Sequence, residues 1–134
     1  MKTFDVQAVE ISADFERAFR YIAEPCNLPE WTDAFRSAGD GKAVLATPAG
    51  AAEIELDVRS SPDYGAIDWI MRFPDQTIER AYSRLVRAGE RRCIFSFVLM
   101  APQLPLEQLE GALEQQSLTL RRELDKLRRI LGGA

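Results

Sequence analysis

The chain has 134 residues, of which 46% are hydrophobic and 28% charged, and its formal net charge is −4. That size favours one domain spanning residues 1-134 with a core that needs no staples, and the composition excludes disordered and fibrous classes. The acidic balance lacks the footprint of a nucleic-acid binder, and no apolar run approaches the roughly 18 residues of a membrane span.

Thr3 to Ile11 is rich in β-formers (Phe4, Val6, Val9, Ile11) and reads as a first strand. Ser12 is placed to cap a following helix, with Asp14 and Glu16 in its first turn, where the helix dipole favours negative charge. Phe15, Ala18, Phe19 and Ile22 recur at i, i+3, i+4, i+7 and give that helix one buried face. Pro25 stops it. Leu28 to Phe35 reads as a second, shorter helix with Pro29 in its first turn, so that Trp31 and Phe35 share a face and the segment "EPCN" makes a corner.

After "SAGDG" the period changes to two. Lys42 to Thr47 reads as a strand turned by "PAG". Ala52, Ile54, Leu56 and Val58 then alternate with Glu53, Glu55, Asp57 and Arg59, the pattern of a half-buried strand. Further strands are expected over Ala66 to Phe73, Thr77 to Arg87 and Arg91 to Met100, joined by short turns that require an antiparallel meander. From Pro105 the period is helical again, with Leu106, Leu109 and Leu113 in one stripe and Leu120, Leu124, Leu127 and Leu131 in another. Glu107, Glu110 and Glu114 precede Arg121, Arg122, Lys126, Arg128 and Arg129, matching the dipole at both ends. A helix of about 25 residues is about 38 Å long, enough to cross a sheet. The fold class is therefore α+β: a curved antiparallel sheet of about six strands, one long C-terminal helix covering it, and two short helices after the first strand.

Cys26 and Cys93 are far apart and lack a CxxC pattern, which fits a reducing, cytoplasmic setting rather than a disulfide framework. The opening "MKTFDVQAVEIS" has no apolar h-region, so it is not read as a signal peptide. "GDGK" at 39–42 fails the phosphate-loop spacing because Arg36 stands where glycine is required. With no histidine in the chain, a structural zinc site is not expected, and no metal or cofactor is assigned.

The segments "ISADFERAFRYIAEPCNLPEW" (11–31), "DYGAIDWIM" (63–71) and "LRRELDKLRRIL", in this β-αα-β meander-α order, resemble the helix-grip fold of the START-like (SRPBCC) superfamily. The nearest branch is the polyketide cyclase/dehydrase-like one. The resemblance spans essentially the whole chain. It implies a mostly apolar cavity between sheet and long helix, in which family members bind lipids, sterols, polyketides or other hydrophobic molecules, and in which some catalyse cyclisation or dehydration. Family chemistry that uses a histidine base or ligand is excluded here.

The cavity so implied would be lined by Trp31, Phe35, Ile54, Leu56, Trp69, Met71, Phe95, Phe97, Leu113 and Gln116. Each has a plainer reading. Trp31 and Phe35 are either a pocket lip or simple core. Gln116 stands where the leucine stripe would continue and is either a polar contact at the cavity or solvated. Ile67, Trp69 and Met71 lie opposite Asp68, Ile70 and Arg72, and Phe95, Phe97 and Leu99 lie opposite Ile94, Ser96 and Val98. Both faces of these strands are apolar, so periodicity leaves the inward face open, and the outer one could serve dimerisation.

Asp68, Glu79, Arg72 and Arg80 are the ionisable residues nearest a cavity mouth, with Tyr82 and Tyr64 as orienting groups. None carries a catalytic signature, since charges on antiparallel strands are usually solvated. The basic helix segment "LRRELDKLRRI" is broken by Glu123 and Asp125 and reads as a solvated face. The expected function is binding of a small hydrophobic molecule. The alternatives are a cyclase or dehydratase acting on a polyketide-like substrate, or a structural partner protein with a filled core. A homodimer is carried as a further candidate partner.

Overall fold

The computed structural model describes residues 2–47, 50–102 and 106–132, the side chains of residues 106–110 excepted. Its strands are β1 (Phe4–Ile11), β2 (Phe35–Gly39), β3 (Lys42–Thr47), β4 (Gly50–Ser61), β5 (Ala66–Arg72), β6 (Ile78–Gly89) and β7 (Arg92–Met100). They form one curved antiparallel sheet in the order β1-β7-β6-β5-β4-β3-β2. The helices are α1 (Phe15–Ala23), α2 (Leu28–Trp31) and α3 (Leu106–Leu131), with a 3-10 turn at Pro25–Asn27. This is the α+β helix-grip arrangement expected from the sequence, with seven strands rather than about six.

The register settles which face points inward. Val9 pairs with Phe95, Phe95 with Leu85, Ser83 with Ile67, Ala81 with Trp69, Met71 with Leu56 and Ile54 with Ala43. Because side chains alternate along a strand, Cys93, Phe95, Phe97 and Leu99 share the inner face with Ile67, Trp69 and Met71. Asp68, Ile70, Arg72, Ile94, Ser96 and Val98 take the outer face. Leu113, Leu120, Leu124, Leu127 and Leu131 are the buried stripe of α3. Leu106, Leu109, Glu107 and Glu110, and the "PA" of the β3–β4 turn, lie outside the described side chains. The helix runs along β1. The Gln7 amide donates to the Ser117 carbonyl at 2.8 Å, and Gly132 lies against the Ser12 carbonyl.

Three local expectations are corrected. Asp14, not Ser12, caps α1: its extended backbone lets the carboxylate accept the Arg17 N–H at 3.1 Å. The second helix stops at Trp31 because Thr32 turns extended, and its N–H and hydroxyl both return to the Leu28 carbonyl. Phe35 therefore begins β2 and does not share a helix face with Trp31. β2 itself was hidden because "FRSAG" has neither alternation nor β-branched residues. Its signal was Asp40-Gly41, both at positive φ (55° and 77°), a two-residue hairpin loop whose twist suits flanking strands.

The outer face of β1, β7 and β6 is unusually apolar. Phe4, Val6, Tyr82, Val86, Ile94 and Met100 are all exposed, and Val6, Val98 and Tyr82 lie in one cross-strand row.

Candidate functional site

The inner face carries a closed circuit of four rings. Trp31 reaches down from α2 to Trp69 on β5 and to Phe95 on β7, each at 6.4 Å between centroids. Trp69 meets Phe97 at 5.6 Å, and Phe97 meets Phe95 at 6.4 Å. Pro29 in α2 and Leu28, which is buried, seat this short helix so that Trp31 points under the grip. Trp31 is 2% exposed; it stands inside the fold rather than on a rim.

Burial is graded along the sheet. At one end Ile67, Leu85, Cys93 and Phe95 are sealed. Toward the other end of the same strands Met71, Phe73, Phe97 and Leu99 are only partly buried, although they pack on the core. Of the sequence-expected lining residues, Trp31, Trp69, Phe95, Phe97 and Met71 come together here. Ile54 and Leu56 are buried on the neighbouring strand β4 and Leu113 is buried on α3. Phe35 is half-buried on β2, and Gln116 is exposed on α3.

Three buried polar atoms in this layer have no hydrogen-bond partner among the described residues: the indole nitrogens of Trp31 and Trp69, and Oε1 of Gln7. Gln7 spends its amide on Asp5 and on Ser117, both at 2.8 Å. The Asp5 carboxyl is held down to about 2, chiefly by that Gln7 amide and by Lys2. Sequence reasoning missed Asp5 and Gln7. The inward positions of β1 are polar at Asp5 and Gln7 and apolar at Val9 and Ile11, and a polar residue in a strand carries no sequence sign of facing inward.

Of the ionisable candidates, Glu79 alone lies on the inner face, opposite Met71. Burial pushes its carboxyl up, and the Asp75 carboxylate adds to this. Asp68 and Arg80 face outward, and Arg72 pairs with Glu55 at 3.3 Å. Tyr64 and Tyr82 are exposed. Cys93 is sealed, and burial pushes its thiol up, which makes it unreactive. A cleft of about 610 Å³ between α1 and the β4–β5 turn, lined by Phe15, Phe19, Pro25, Pro62 and Arg87 among others, lies outside the grip.

Glu123 on α3 ties the segment after Trp31 to the helix. Its carboxylate accepts the Asp33 N–H at 2.7 Å, and Arg122 bonds the Asp33 carboxylate at 3.0 Å. Burial pushes the Glu123 carboxyl up to about 7, against the pull of the Asp33 and Ala34 N–H groups. The folded value lies above the unfolded one, so the folded state holds this proton more tightly. The stabilisation is complete below about pH 4.5 and is lost as pH rises through about 7. Glu123→Gln keeps an acceptor for Asp33 and removes the charge. It is expected to stabilise the protein by about 1–2 kcal/mol at pH 8, allowing for partial solvent screening, and by much less at pH 5. Thermal melts at the two pH values check this; an identical shift at both would contradict it.

No family model matches the sequence, and no curated protein matches it. The fold itself has many solved counterparts. The protein XoxI from Bacillus cereus superposes with a TM-score of 0.71 at 12% identity, over 97% of this chain and 96% of that one. A START superfamily protein from Mycobacterium smegmatis gives 0.65 at 11% identity, over 97% of this chain and 99% of that one. The Zhui aromatase/cyclase from Streptomyces sp. R1128 gives 0.65 at 10% identity, over 96% and 92%. The chain thus has the START-like, polyketide cyclase-like fold that its segment order resembles.

Proposed function

We propose that this START-like helix grip binds a small hydrophobic molecule between the inner face of the sheet and α3. The observation that carries the reading is the continuous aromatic inner face of Trp31, Trp69, Phe95 and Phe97, beside which Met71, Phe73 and Leu99 are only partly buried. Large apolar walls with few polar groups suit apolar ligands. Leu113 would form the helix side of the site. Among the described residues no helix is long and apolar enough to cross a membrane. The unpaired Cys26 and Cys93 support a reducing, cytoplasmic setting.

Native mass spectrometry of freshly purified protein, followed by organic extraction, tests the reading. A reproducible co-purifying small mass is the expected result. An apo mass, together with tryptophan fluorescence that stays unchanged on adding 1-anilinonaphthalene-8-sulfonate, would sink it. The same spectrum reads the oligomeric state. A dimer mass would fit pairing through the apolar outer face of β1, β7 and β6.

Glu79 favours a second reading. A desolvated inward carboxyl with a raised pKa can serve as a general acid, and one of the similar structures is an aromatase/cyclase. On this reading the protein is a cyclase or dehydratase of a polyketide-like substrate, and Glu79→Gln abolishes turnover while leaving binding intact.

A further inference from the structure

α3 covers the inner face of the sheet along β1, whereas the outer face of β1, β7 and β6 is left to water. Its large apolar side chains, Phe4, Val6, Tyr82, Val86, Ile94 and Met100, are 40% to 54% exposed. Register makes them one surface. Phe4 lies beside Met100, Val6 beside Val98 and Tyr82, and Ile94 beside Val86. Together they present on the order of 500 Å² of apolar area, at the upper end of the largest patch a monomer exposes. With Ala8, Ser96 and Val98 between them, the surface approaches the roughly 800 Å² per partner of a standard stable interface.

Charge and relief indicate what covers it. The chain carries a net charge of −4, but this face is close to neutral. Glu10 is paired with Arg92 at 2.9 Å, and the Arg84 side chain is drawn aside to the Tyr64 carbonyl at 2.8 Å. A strongly charged partner would find no counter-charge here, and a second copy meets no repulsion. The row Ala8–Ser96 is a shallow groove between two ridges, Val6–Val98–Tyr82 on one side and Ile94–Val86 on the other. A two-fold axis lays a ridge of each copy into the groove of the other, the self-complementarity that a symmetric dimer requires. The free edge of β1 is a poorer contact, because the inward Asp5 and its ion pair with Lys2 at 3.0 Å place charge along it.

We propose that two copies of this chain pair back to back through the outer faces of β1, β7 and β6. The two inner faces then point away from each other, and the pairing is independent of what they bind.

Sedimentation velocity from about 1 µM to about 200 µM, a span that brackets micromolar dissociation, tests this. The parent chain should sediment as a dimer at the upper end. Val6→Glu on β1 and Val86→Glu on β6 should each weaken pairing at least about tenfold, the scale of a charge placed in an apolar contact, while keeping the parent's circular-dichroism spectrum. Val6→Thr and Val86→Thr, which preserve shape and strand preference, should weaken it in the same direction and cover the case in which a charged variant misfolds. Leu118→Glu, on the exposed side of α3, should leave pairing unchanged.

A monomer throughout the range would overturn the proposal, as would a dimer that the β1 and β6 variants retain. Loss in the β1 variants alone would mean pairing through the strand edge, and loss in Leu118→Glu would put the interface on α3. Either result overturns it, and so does growth beyond a dimer, which a closed two-fold contact forbids.

Discussion

Gly65→Ala is expected to lower stability by about 3 kcal/mol or more, from left-handed strain plus overpacking. Gly65 closes the β4–β5 turn at φ +69°, and a Cβ there would overlap the Leu85 carbonyl oxygen and come within 3.1 Å of its carbon. Those atoms are backbone in the middle of the sheet and cannot swing away. The Gly65 carbonyl also accepts the Leu85 N–H at 2.8 Å, so any retreat breaks a ladder bond. Gly41→Ala is the matched control. It has a similar φ of +77° and nothing within 4 Å of an added Cβ, so it should cost only about 1 kcal/mol of backbone strain. Urea unfolding of the two variants separates steric overlap from strain. Equal losses would show that the Leu85 contact contributes nothing.

Trp31→Ala should cost about 3–5 kcal/mol, the range for removing a large buried aromatic. A tryptophan on a rim would lose little stability and mainly ligand affinity. The position of Trp31 inside the ring circuit, touching both Trp69 and Phe95, predicts a large loss of stability. Chemical unfolding of the variant measures it, and a loss below about 1 kcal/mol would return Trp31 to the rim. Trp31→Phe, which leaves an aromatic ring in place, should be distinctly milder.

The fold was legible where burial imposes a period. The stripe Leu120, Leu124, Leu127, Leu131 and the alternation through Ile54 and Leu56 lie on buried faces as read. β2 was not legible, because its pairing with β3 is carried by backbone bonds and a tight loop rather than by apolar side chains. The inward faces of β5 and β7 were also hidden, since the outer face is itself apolar and only register distinguishes the two. For the site, the aromatic supply was visible in the sequence but its assembly was not. Trp31, Trp69 and Phe95 are remote along the chain, and their meeting depends on where α2 ends. Gln7 and Asp5 escaped notice because a lone polar residue in a strand gives no sign of being buried until the helix above it is placed.

The strand order carries one more consequence. β2 to β7 form a meander, each strand pairing with its neighbour in sequence, whereas β1 pairs only with β7, Phe4 opposite Met100. The local hairpins can form early, within microseconds, while the pairing of β1 must close a loop that spans most of the chain. During synthesis β1 therefore leaves the ribosome before its partner β7, with the five other strands made in between. Until β7 and α3 arrive, β1 is unpaired and its inward Val9 and Ile11 are uncovered. The pairing with the longest sequence separation in the sheet is thus the one that joins the strand before α1 to the strand before α3.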